Sequence, residues 1–90
     1  MQYQLTVWHS AIRELERANR RAEFEQQNWK VRVDQVGHRL ETEDLSPWDR
    51  QKLDIVRDSL QAEIQMSKER MADRKREMAG LKACIEEHLC

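Results

Sequence analysis

Three histidines and two cysteines are the side chains best suited to metal or nucleophilic chemistry in this chain, and their spacing argues against both. His9, His38 and His88 lie far apart, and none belongs to an HExxH or similar ligand pair, so each reads as a polar residue on a helix surface. Cys84, His88 and Cys90 form the one suggestive cluster, because residues four apart share a helix face. A structural zinc site takes four ligands and no fourth donor is near, so no metal is expected. A disulfide between Cys84 and Cys90 would close a very small loop and restrain little of the unfolded chain. Reduced thiols are therefore expected, with an intermolecular disulfide at Cys90 the ordinary result of oxidation. No nucleophile elbow, phosphate-binding glycine loop or catalytic cysteine–histidine context occurs. The expectation is a protein without enzymatic activity, cofactor or small-molecule substrate.

Arginine offers more. It outnumbers lysine 11 to 5, which suits bidentate contacts to phosphate or carboxylate. Arg13, Arg17, Arg20 and Arg21 cluster in the first half, and Lys68, Arg70, Arg74, Lys75 and Arg76 in the second. One reading is a helical nucleic-acid-binding regulator that uses Arg17, Arg20, Arg21, Arg70, Arg74 and Arg76. Against it, Glu14, Glu16, Glu23, Glu69, Asp73 and Glu77 are interleaved with these cations. Pairs such as Glu16 and Arg20 are ordinary helix support at four-residue spacing, and mixed-sign runs are usually solvated faces. The net charge of −1 supplies no overall field to attract nucleic acid or an anionic membrane. Protein binding is the preferred reading and nucleic-acid binding the alternative.

Those residues must be carried by helices. Charged residues make up 37% of the 90, with only two glycines and one proline, a balance typical of long or coiled helices. Leu, Ile, Val and Phe account for 18 residues, close to the limit below which strongly charged chains stay disordered. Order therefore depends on where they stand. Steps of alternately three and four pick out Leu5, Trp8, Ile12, Leu15, Asn19, Ala22, Gln26, Trp29, Val33, Val36 and Leu40 as a heptad seam. This predicts a helix over about 3–42, with Gly37 inside it because Leu40 continues the seam.

A turn over about 43–46 follows. Ser46 before Pro47 is a helix N-cap with proline in the first turn, and Asp49 adds a favourable carboxylate. Leu45 can pack on Leu53 or the Trp48 ring in the manner of a hydrophobic staple. The second helix is predicted over about 47–87, with a seam at Leu53, Val56, Leu60, Ile64, Ser67, Met71, Arg74, Met78, Leu81, Ile85 and Leu89 that is weaker around Ser67 and Arg74 and slightly irregular at the 56–60–64 and 85–89 steps.

Two forty-residue helices joined by a short turn run antiparallel. Facing residue numbers should then sum to about 90, placing Trp8 near Leu81, Asn19 near Met71, Trp29 near Leu60 and Val36 near Leu53. The expected fold class is all-α, a coiled-coil-like two-helix hairpin forming a single domain. Its expected core is Leu5, Trp8, Ile12, Leu15, Trp29, Val33, Val36, Leu53, Val56, Leu60, Ile64, Met71, Met78, Leu81 and Ile85. One apolar stripe per helix buries too little to order 90 residues alone, so the hairpin is expected to complete a bundle by oligomerisation or on a partner subunit.

The expected protein interface comprises Trp8, Ile12, Leu15, Met71 and Met78 of the seams. It also includes Phe24, Val31, Trp48, Ile55 and Met66, which an isolated hairpin would leave outside. Buried Asn19 and Gln26 can fix register and partner choice, or simply mark a wetter section. Acidic Glu41, Glu43, Asp44, Asp49 and Asp54 gather at the turn, opposite in sign to the mid-hairpin arginines. In an antiparallel dimer the basic middles would overlap, whereas a staggered pairing would set the acidic turn against a basic middle. The absence of a membrane-spanning run and of a signal-peptide pattern in MQYQLTVWHS points to a soluble, intracellular chain, cytoplasmic by default with the nucleus open.

Overall fold

The computed structural model describes residues 2–89, with side chains from Tyr3 onward, so expectations placed on Cys90 lie outside the described residues. It contains two helices, α1 (Gln2–Thr42) and α2 (Pro47–Leu89), packed against each other as an all-α hairpin. The molecule is a rod measuring 66 × 15 × 15 Å, with a radius of gyration of 20.0 Å. A compact 90-residue chain would have about 12 Å. No helix is long and apolar enough to cross a membrane.

Helix α1 continues through Gly37 as the seam requires, and the glycine has no positive φ. At its end the Thr42 hydroxyl donates to the His38 carbonyl at 2.7 Å, and the Glu43 amide to that of Arg39 at 3.0 Å. The Arg50 guanidinium donates to the Leu40 carbonyl at 3.2 Å, so α2 satisfies part of the carbonyl end of α1. Ser46 caps α2 as its position suggests: the Asp49 amide donates to its Oγ at 3.2 Å. Leu45 is half-buried, but Trp48 turns outward, 65% exposed, with the Lys52 ammonium 5.2 Å from its ring centre. Helix α2 runs two residues past the expected end, through Gly80 without interruption.

All eleven seam positions of α1 are buried or half-buried, Ile12, Asn19, Ala22, Gln26 and Leu40 most deeply. The seam of α2 needs two corrections. Val56 is 43% exposed and Leu89 is 71% exposed, while Arg57 and His88 are half-buried in their stead. The reason is spacing: 53, 57, 60, 64, 67, 71, 74, 78, 81, 85 and 88 alternate four and three without a break. A path through Val56 must take two four-residue steps in succession and drifts off the line of contact. Arg57 tolerates its half-buried place because its guanidinium reaches Asp54 at 3.0 Å and Asp58 at 3.8 Å.

Register stays within about two turns of the expected pairing along the rod, with a tendency to sums above 90. Leu40 meets Arg50, and Asn19 meets Met71, as a sum of 90 requires. Gln26 meets Ser67, a sum of 93, and the Trp8 ring packs edge-to-face on His88 with centroids 5.8 Å apart, a sum of 96.

Candidate functional site

Labelling the seam positions a and d, the two helices bring polar residues together at the middle of the rod. Gln26 Nε2 donates to Ser67 Oγ at 3.0 Å and approaches Met71 Sδ at 3.1 Å. Asn19 Nδ2 donates to the Met71 carbonyl at 3.5 Å, and Arg74 Nη1 donates to Asn19 Oδ1 at 3.2 Å. Asn19, Gln26 and Ser67 are all buried, Ser67 to 2% exposure. No buried side-chain nitrogen or oxygen among the described residues lacks a partner. The layer therefore carries little desolvation penalty in this register. A one-heptad slip that set Gln26 against Leu60 and Asn19 against Ile64 would strand both amides, which is how a polar seam residue specifies alignment. Small Ala22, between the two amides in sequence, is buried as well.

This layer also anchors a charged recess. Arg21, Arg70 and Arg74 gather with Glu25 over a floor of Ala18, Ala22 and Ser67. The six arginines of the sequence reading thus divide. Arg21, Arg70 and Arg74 converge, with Arg74 held by Asn19. Arg76 is exposed and paired with Asp73 on its own helix. Arg17 and Arg20 are exposed and do not line the recess. The convergence was not legible beforehand, because it depends on cross-helix register to within one turn.

The expected interface residues divide as well. Trp8, Leu15, Trp29 and Met78 are half-buried and Ile12 and Met71 buried, all spent on joining the two helices. Phe24, Val31, Trp48, Ile55 and Met66 are exposed, and Val56 joins them. By heptad position Phe24 and Val31 lie opposite the seam of α1, and Trp48 and Ile55 opposite that of α2. They form two outer ridges rather than one patch. Together with Val56 and Met66 they occupy the half of the rod between the arginine recess and the turn. Among the described residues the other large exposed apolar side chains, Tyr3, Val7 and Leu89, lie at the open end.

Cys84 is exposed, and it borders a shallow depression with Trp8, Glu87 and His88. His9 and His38 are exposed, whereas His88 is half-buried under the Trp8 ring. Among the described residues no group of three His, Cys, Asp or Glu side chains could hold a metal ion. Comparison of the chain with protein-family models, curated proteins and solved structures gave no match.

Proposed function

We propose that the chain is a non-enzymatic protein–protein interaction module, a small coiled-coil scaffold, adaptor or assembly subunit that completes its burial on another helical surface. The observation that carries this reading is the imbalance between shape and burial. The accessible surface is 6982 Å², where a compact monomer of this mass exposes about 5,600 Å². The excess, about 1,400 Å², exceeds the roughly 800 Å² that each partner contributes to a standard protein interface. Six apolar side chains are buried, and no large side chain among the described residues is fully excluded from solvent. Such a rod gains too little from its single stripe of contact to offset the ordering of two long helices.

Light scattering combined with circular dichroism on the purified chain tests the proposal. The expected result is a helical oligomer, or a weakly helical monomer that gains helix when its partner is added. A fully helical monomer in dilute buffer that unfolds cooperatively contradicts it. The nucleic-acid reading has less support, because Arg76 is engaged in an ion pair and Arg17 and Arg20 stand apart from the recess. A gel-shift titration at low and moderate salt is expected to show no complex.

A further inference from the structure

The arginine recess lies near the middle of the rod. Arg21 and Arg70 make no ion pair with another described residue, and Glu25 is the single carboxylate at the recess. Three arginines and one glutamate lining the same recess over small side chains leave uncompensated positive charge with room above it. Phe24, 70% exposed, follows Arg21 by three residues, and Met66, 49% exposed, precedes Arg70 by four. A cationic recess bordered on its turn side by an aromatic and a methionine suits a segment that presents carboxylates beside apolar side chains.

The turn of this same chain is such a segment. From Glu43 to Asp49 it carries Glu43, Asp44 and Asp49 together with Leu45 and the outward-facing Trp48. Residues 41–54 hold five acidic side chains against Arg50 and Lys52. Residues 13–21 hold four arginines against two glutamates, and residues 68–76 hold five cations against two acids. The turn cannot reach its own recess, which lies about 24 residues away along a straight helix, or roughly 36 Å. A second hairpin laid antiparallel can reach it.

We propose that two copies of the chain dock antiparallel through their turn halves, the acidic turn of each seated on the Arg21–Arg70–Arg74 recess of the other. The contact is self-complementary, so one two-fold axis makes both junctions at once and closes the assembly as a dimer. The overlap runs along the half of the rod between turn and recess, on the face that carries Val56 and Met66, with the Phe24–Val31 and Trp48–Ile55 ridges at its two edges. Val56 lies near the midpoint between turn and recess, on the face that carries Glu25 and Arg70 by heptad position, so it meets its own copy close to the axis. This accounts for an exposed valine immediately before the half-buried Arg57. With a net charge of −1 per chain, little overall repulsion opposes association. This inference rests on the interaction reading above and names its partner.

Charge reversal on the full chain tests the register. The double variants Arg21→Glu with Arg70→Glu, and Asp44→Lys with Asp49→Lys, change exposed side chains, and circular dichroism checks that each stays as helical as the parent. Sedimentation equilibrium should give a dimer for the parent, weakened by salt. Each double variant alone sets like charges at both junctions and should raise the dissociation constant about 100-fold or more. An equimolar mixture of the two variants opposes unlike charges at both junctions and should recover the dimer. Parent-like dimers from each variant alone, or no recovery on mixing, overturn the proposed register while leaving self-assembly intact. A weakly helical parent monomer overturns the homodimer and leaves a different partner as the occupant. A stable, fully helical parent monomer overturns both the homodimer and the interaction reading.

Discussion

At the scale of single residues, the buried amides decide how the two helices align. Gln26 and Ser67 share a hydrogen bond at 3.0 Å with both side chains buried, so truncating one strands the other. Gln26→Ala should destabilise the hairpin by about 1–3 kcal/mol. Adding Ser67→Ala should cost less than the sum of the two single changes, with a coupling of about 1 kcal/mol in a double-mutant cycle read by urea unfolding. Strict additivity would remove that bond from the account. Trp29 tests coverage instead. A fully buried tryptophan loses about 3–5 kcal/mol on truncation to alanine, but Trp29 is only half-buried here. Trp29→Ala should therefore cost about 2 kcal/mol in the hairpin alone, and more in an assembly that covers the ring. The possible burial of Asn19 and Gln26 was legible from their place in the seam. Their partners were not, because Ser67 and the Met71 carbonyl are selected by register rather than by residue type.

Among the elements, the two helices differ in how openly their sequences declare their contacts. Helix α1 shows its seam because nine of its eleven seam positions carry apolar residues. Helix α2 conceals its contacts at two points, the same two steps at which the spacing of its apolar residues is irregular. Val56 and Leu89 attracted the seam, while the uninterrupted alternation of four and three runs through Arg57 and His88. Arg57→Leu would place an apolar side chain on the line of contact and should raise stability by about 1 kcal/mol in thermal or urea unfolding. A loss of stability would mean that its pairing with Asp54 matters more than its position. The glycines offer a second check. Nothing lies within 4 Å of a Cβ built at Gly37 or Gly80, and neither has a positive φ. Gly37→Ala and Gly80→Ala should each stabilise by about 1 kcal/mol. Ser46→Ala, which removes the acceptor of the Asp49 amide, should cost about 1 kcal/mol. Ser46 and Pro47 marked the start of α2 in the sequence because capping chemistry is local; the outward turn of Trp48 is not local and had no such signal.

For the whole molecule, length and surface govern behaviour. A rod 66 Å long and 15 Å wide has one line of internal contact, and its large exposed apolar side chains away from the open end crowd into the half nearest the turn. The hairpin architecture was readable from two long periodic segments around one capped turn. The arginine recess and the segregation of apolar residues appear only once register and helix phase are set, since they join positions some fifty residues apart. The central claim is that this hairpin needs a second surface to be stable. The most direct test is the thermal midpoint of the purified chain followed by circular dichroism across a wide range of protein concentration. The account predicts a midpoint that climbs with concentration, because association stabilises the folded form by mass action. A sharp transition at the same temperature at every concentration, from a species that sediments as a monomer, would contradict it.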